Sequence, residues 1–213
     1  SNKTAPFTVQ TNIRIDNNRF TDAANGSYQA IWDFGGMHGV VDNNVFDGVV
    51  YPVRSSPQVT GASWWDHFTM NFGSAASYLY FEDNTFMGVS ETITDCQFSG
   101  RYLFRYNTVA TTMDSYPLFD MHGNQTSGSL GGPIDGMYSC FGGEIYGNEI
   151  QSGPREVNFL DQRGGKSLVF YNNVSTSTSV AFIKVREERS DAEEPTTNAQ
   201  PQHVSSSYYW GNR

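Results

Sequence analysis

Leu79-Tyr80-Phe81-Glu82-Asp83-Asn84-Thr85-Phe86 is the stretch from which the fold can be read. It places an aromatic residue three positions before an asparagine and another two positions after it. Variants occur at Ile13–Phe20, Val40–Phe46, Leu103–Val109, Glu144–Ile150 and Leu168–Val174, with a last one at Tyr208–Asn212. The seven asparagines are Asn18, Asn44, Asn84, Asn107, Asn148, Asn172 and Asn212, spaced 26, 40, 23, 41, 24 and 40 residues apart. A period in this range marks a solenoid, because each copy is too small to bury its own apolar face and must stack on its neighbours.

The columns within the repeat are more informative than the spacings. Ile15, Val41, Phe81, Phe104, Ile145, Val169 and Tyr209 stand three before the asparagine, and Phe20, Phe46, Phe86, Val109, Ile150 and Val174 stand two after it. Strand residues an odd number apart face opposite ways, so two inward columns five apart require a bend between them. Asparagine tolerates the left-handed backbone of such a bend, and stacked asparagines can bond from copy to copy. The seven are expected to mark the bend and to form a ladder.

A second short strand ending in glycine precedes several copies: Ile31–Gly35, Thr69–Gly73, Leu118–Gly123 and Leu160–Gly164. The sequence therefore predicts an all-β, right-handed, single-stranded parallel β-helix of about seven coils. It forms one domain over residues 1–213, with a lead-in at 1–11. The long spacings predict inserted loops near 52–65, 123–140 and 187–207.

The runs Tyr102–Val109, Glu144–Asn148 and Arg163–Asn172 resemble the right-handed parallel β-helix repeat proteins of the pectate lyase-like superfamily, which also includes polygalacturonases, phage tailspikes and many uncharacterised secreted proteins. The resemblance covers Asn12 to Asn212 and implies the fold; its motifs carry no activity. The family's usual amphipathic N-terminal helix has no counterpart before Ile13, which a partial chain or a neighbour covering the first coil would explain. An opening at Ser1-Asn2-Lys3, with neither initiator Met nor apolar signal core, is expected of a processed form or a segment.

Composition narrows the partners. With 22 acidic against 13 basic residues and a net charge of -9, the chain lacks the basic footprint that phosphate neutralisation needs, so nucleic acid is not expected. No apolar run is long enough to span a bilayer. Charged residues make up 16% of the chain, against about a quarter in ordinary soluble domains. A surface covered instead by Asn, Ser, Thr and Gly fits an extracellular or cell-surface location. Cys96 and Cys140 fall on consecutive marked coils, where a bridge is geometrically open but not required.

Function in a solenoid generally sits on an outward strand face, where rungs about 4.8 Å apart merge distant sequence into one surface. The strand before the glycine turn supplies a polar column of Asp33, Asn71, Asp120, Asp161 and Lys184, extended two positions on by His122, Arg163 and Arg186. Two readings of its chemistry stand side by side. If Asp120 and Asp161 repel each other, one pKa rises and the pair can work as acid and base in glycoside hydrolysis. Alternatively, Arg163, Lys184 and Arg186 neutralise a uronate carboxylate while His122 or an arginine removes the adjacent proton, as in the lyases.

Asp120, His122, Asp161, Arg163 and Lys184 are thus the candidate catalytic residues. Arg186, Asp33, Asn71 and the loop pair Trp64 and Trp65 are the candidate substrate-binding residues, the tryptophans because their faces can stack on sugars. A column whose charges merely neutralise one another is the plainer alternative. The polygalacturonase pattern is matched only in part. No Asn-Thr-Asp precedes an Asp-Asp pair, and Met121-His122-Gly123 and Ile183-Lys184 only echo that family's Gly-His-Gly and Arg-Ile-Lys.

No cofactor is called for, although calcium could bridge the turn carboxylates Asp16, Asp42 and Glu82. An exposed ladder in which Arg105 pairs with Glu82 is the simpler expectation, and no zinc spacing exists. The expected partner is a polysaccharide or cell-surface glycan, with self-association through uncapped solenoid ends as a further contact. The competing class is a non-enzymatic structural protein, such as a filament subunit, adhesin stalk or tailspike segment.

Overall fold

The asparagine of each copy bonds to the next in a computed structural model of the chain, which describes residues 10–21, 29–33, 37–55, 72, 78–97, 100–111, 117–123, 139–151, 153, 158–175, 182–186, 204 and 206–213. Asn84 Oδ1 accepts from both the backbone N–H and the Nδ2 of Asn44, at 2.9 and 3.0 Å. Asn84 Nδ2 donates to Asn107 Oδ1 and to the carbonyls of Val41 and Glu82. The same links join Asn18 to Asn44, Asn107 to Asn148, Asn148 to Asn172 and Asn172 to Asn212. Asn44 through Asn172 are buried, and each amide finds partners, which is the condition for burying it at no net cost.

Three parallel sheets surround this ladder. Sheet A holds β1 (Gln10–Asp16), β4 (Met37–Asp42), β7 (Leu79–Glu82), β10 (Arg101–Arg105), β13 (Gly142–Tyr146), β16 (Lys166–Phe170) and β19 (Tyr208–Trp210). Sheet B holds β2 (Arg19–Thr21), β5 (Val45–Asp47), β8 (Thr85–Val89), β11 (Thr108–Thr111), β14 (Glu149–Gln151) and β17 (Asn173–Ser175). Sheet C holds β3 (Gln29–Asp33), β6 (Tyr51–Ser55), β9 (Thr94–Cys96), β12 (Phe119–Met121), β15 (Leu160–Gln162) and β18 (Ile183–Val185). Each coil runs A, B, C, and every pairing is parallel to the next coil, so the chain is a parallel β-helix. The described residues contain no helix.

Both apolar columns point inward. Val41, Phe81, Phe104, Ile145 and Val169 are fully buried, while Ile15 and Tyr209 on the outermost rungs are partly so. Phe20, Phe46 and Phe86 stack face on face at 4.8 and 4.5 Å, and Phe119, Phe159 and Phe182 continue an aromatic file beneath sheet C. Burying each such ring contributes about 2–3 kcal/mol.

The bend lies one residue earlier than the sequence reading placed it. The left-handed residue in each coil is the one before the asparagine: Asn17, Asn43, Asp83, Tyr106, Gly147, Tyr171 and Gly211, all with φ between 54° and 67°. The asparagine itself is left free to turn inward and bond along the stack.

The insertions also fall differently. Residues 52–55, assigned to a loop, belong to β6, so the first insertion leaves the solenoid after Ser55. The extra residues of the three long coils lie between Ser55 and Tyr78, Gly123 and Ser139, and Arg186 and Tyr208. All three depart at one corner, where sheet C hands over to sheet A, on the second, fourth and sixth coils. Trp64, Trp65 and Asn71 fall in the first of these stretches, outside the described residues.

The structure joins Cys96 to Cys140, with Cα atoms 5.2 Å apart, and so crosslinks the end of β9 to the approach to β13.

Candidate functional site

Register decides which side chains share the outward face of sheet C. Asp120 pairs with Asp161 and with Asp95, and Asp161 pairs with Lys184. Arg54 pairs with Asp95, and Trp32 with Arg54. The column is therefore Trp32, Arg54, Asp95, Asp120, Asp161 and Lys184, one residue per coil. Asp120, Asp161 and Lys184 stand where the sequence placed them.

Asp33 does not belong to this column. It pairs with Ser55, which pairs with Cys96, in the inward file, and it is 3% exposed. Its carboxylate accepts from the Met37 N–H at 2.7 Å and the Ser55 hydroxyl at 3.3 Å, tying the end of β3 to the start of β4. Its neighbour Trp32, 44% exposed, takes the outward position and carries the Arg54 guanidinium 5.3 Å from its ring centre. Arg54 and Asp95 escape the sequence reading because the loop near 52–65 takes in most of β6 and because β9 is only three residues long. Counting a fixed offset of about nine residues from Phe46 and Phe86 would have located both.

His122, Arg163 and Arg186, two positions after Asp120, Asp161 and Lys184, each reach back one rung. Arg163 Nη2 lies 2.6 Å from each oxygen of Asp120, and its Nε lies 3.2 Å from Oδ1. Arg186 clasps Asp161 likewise, with Nη2 at 2.8 Å. His122 Nε2 lies 3.2 Å from Asp95 Oδ1, 3.2 Å from Asp120 Oδ2 and 2.9 Å from Arg163 Nη2. One ring nitrogen thus faces two acceptors and one donor, and its protonation decides which bond it makes. Arg54 Nε lies 3.5 Å from Asp95.

These groups are well shielded, with the side chains of Arg163, His122, Asp95 and Asp120 between 8% and 15% exposed. Burial alone would push the Asp120 carboxyl up, but the hydrogen bonds and charges of His122 and Arg163 outweigh it and hold it below the usual carboxylate value. Repulsion between Asp120 and Asp161 was expected to raise one of the two. For Asp120 the shift runs the other way, because His122 beside it and Arg163 from the next rung both bond its carboxylate. Asp120 is therefore an ionised group with both oxygens engaged, suited to balancing positive charge. Lys184 is exposed at the end of the column and has no ionic partner among the described residues.

The disulfide braces this face. The His122 N–H donates to the Cys96 carbonyl and the Cys140 N–H donates to the His122 carbonyl, both at 2.8 Å, so the two cysteines grip the histidine backbone from either side.

The turn column behaves as a ladder of pairs: Arg14 bonds Asp42 at 2.8 Å, and Arg105 bonds Glu82 at 2.7 Å. A second polar group, unforeseen in the sequence, lies on the outer side of sheet A. Tyr78, Arg101, Glu144 and His38 are all nearly buried there, although their strand parity points them away from the core. Burial lowers the Arg101 pKa to about 10, and it lowers His38 together with the Arg101 charge 3.5 Å away. Comparison of the chain with protein-family models, with curated proteins and with solved structures yields no match, so the parallel β-helix and its sites stand on the sequence and the geometry alone.

Proposed function

We propose that the protein is an extracellular solenoid that binds a polysaccharide along the outward face of sheet C, from Trp32 to Lys184. The observation that carries this reading is the register: six side chains from six coils form one file, with an exposed indole at one end and Lys184 beside Arg186 at the other. A stacking ring and a cationic end suit a chain of sugars bearing carboxylates. Three insertions flank the same corner, where loops can add walls to an open strand face. The disulfide and the low-charge surface support an oxidising, extracellular setting.

Cleavage is the further step of this reading. Asp120 and Asp161 occupy adjacent rungs of one file, about 4.8 Å apart in backbone, so two carboxyl groups face the same surface, as glycoside hydrolysis requires. Asp120, held ionised, fits the nucleophile and not the proton donor.

The test is incubation with a panel of uronate-containing and neutral polysaccharides, following reducing ends and the absorbance of unsaturated products. Asp161→Asn and Arg163→Ala should abolish any activity or retention, and Asp16→Asn should leave it intact. Equal behaviour of all three would sink the assignment of this face.

A structural solenoid is the second reading, favoured by the pairing of Asp95, Asp120 and Asp161 with cations on neighbouring positions. Here the face is a neutralised surface and the protein assembles end to end with copies of itself. Sedimentation showing concentration-dependent oligomers, together with no glycan retention, would establish this reading over the first.

A further inference from the structure

Tyr106 and Tyr171 occupy a backbone conformation that suits neither. At the seven equivalent bends the left-handed residue is otherwise Asn17, Asn43, Asp83, Gly147 or Gly211, the types that adopt it at little cost. A tyrosine there is an outlier, and an outlier that persists points to a function or to a compensating contact.

The surroundings show what the rings do. Tyr146, Phe170 and Trp210 stack along the solenoid axis at 4.4 and 4.6 Å with planes within 15° of parallel. Tyr106 stands at 86° to Tyr146 and Tyr171 at 80° to Trp210, so the planes of both tyrosines run along the axis. Each lies across the glycine of the next coil: a Cβ at Gly147 would come within 2.8 Å of Tyr106, and one at Gly211 within 2.4 Å of Tyr171. The alternation of Tyr and Gly at successive bends thus clears a side chain from between the two rings. They are 54% and 62% exposed and sit two coils apart, about 10 Å along the axis.

Charge changes along this surface as well. Two residues before the marker, the column reads Asp16, Asp42 and Glu82 in the first coils but Tyr146, Phe170 and Trp210 in the last. Arg105 between them is neutralised by Glu82, and it backs the Tyr106 ring at 5.4 Å.

We propose that Tyr106 and Tyr171 form a platform for an uncharged polysaccharide lying parallel to the solenoid axis, each ring stacking on the C–H face of one sugar with about two sugar units from one stacked ring to the next. It is a second site, on the opposite side of the sheet A bend from sheet C, and stands whether or not that face binds glycans.

Affinity electrophoresis through gels containing galactomannan, mixed-linkage β-glucan or soluble starch tests it, with polygalacturonate as the charged control. The wild-type chain should be retarded by at least one uncharged glycan. Tyr106→Asn with Tyr171→Asn should weaken that retardation about tenfold or more. The same double variant should melt at an unchanged or higher temperature, because asparagine is at ease in the left-handed bend. Phenylalanine at both positions should keep the binding. No retardation by any uncharged glycan, equal retardation of wild type and asparagine variant, or a clear fall in melting temperature of that variant would each overturn the platform, the last because the rings would then be serving only to cover the glycines.

Discussion

Arg163 of the fifth coil clasps Asp120 of the fourth, with one guanidinium nitrogen 2.6 Å from each carboxylate oxygen. Both side chains are shielded, at 8% and 15% exposed. Removing one partner of such a pair leaves a buried charge uncompensated. Arg163→Ala should therefore cost about 3–5 kcal/mol in denaturant unfolding, and Arg163→Lys should recover only part, lacking the planar fork. The exposed pair of Arg19 with Asp47 is the control: Arg19→Ala should change stability by less than about 1 kcal/mol.

Acid should act through the same pair. The folded Asp120 pKa lies below its usual value of 3.8, so the stabilisation it supplies is complete above that pH and is lost as pH falls through the folded value. The stability difference between wild type and Asp120→Asn should be large at about pH 6 and shrink progressively below about pH 4. A difference that grows on acidification would contradict the assignment.

His38 carries the opposite chemistry and the same sign. Burial and the charge of Arg101 lower its pKa from 6.5, so it folds as the neutral ring. The unfolded chain therefore binds more protons in the window just below 6.5, and stability should decline there as pH falls. His38→Gln should flatten that slope, read from melting temperature against pH.

Asn84→Ala should be among the most damaging substitutions in the chain. It deletes two bonds accepted from Asn44 and strands the Val41 and Glu82 carbonyls at a buried bend. At about 1–3 kcal/mol per stranded group, a loss of at least about 3 kcal/mol is expected by chemical denaturation. Asn18→Ala, at the exposed end of the ladder, should cost markedly less.

Reducing the bridge between Cys96 and Cys140 should lower stability by about 4 kcal/mol, from the loop-closure entropy of a 44-residue separation. It should also lower hydrogen-exchange protection of the His122 amide, whose acceptor is the Cys96 carbonyl. Protection unchanged by reduction would show that the β9–β12 pairing alone holds the histidine.

How much of this was legible in the sequence depends on the length scale of each interaction. The columns through Val41, Phe81 and Phe104 and through Phe46 and Phe86 were readable because a solenoid repeats one environment, so each coil demands the same residue at the same place. The asparagine ladder was readable for the same reason. The left-handed position was not, because both residues at the bend tolerate asparagine, as Asn17-Asn18 and Asn43-Asn44 show, and only the backbone tells which one turns.

At the site, strand parity carried Asp120, Asp161 and Lys184 to one face without any coordinates. Asp33 was misplaced by one residue, because matching its residue type to Asp120 and Asp161 overrode the register, which sets Trp32 against Arg54 and Asp33 against Ser55. Sequence alone thus determined the repeat, its inward files and the outward direction of most of the polar column, since these follow from a period of two within strands and a fixed motif between coils. Tertiary structure decided what those side chains touch. Arg163 lies 43 residues from Asp120, and only the stacking of whole coils, some of them long and some short, brings the cation of one rung onto the carboxylate of the last and turns a row of like charges into a paired one.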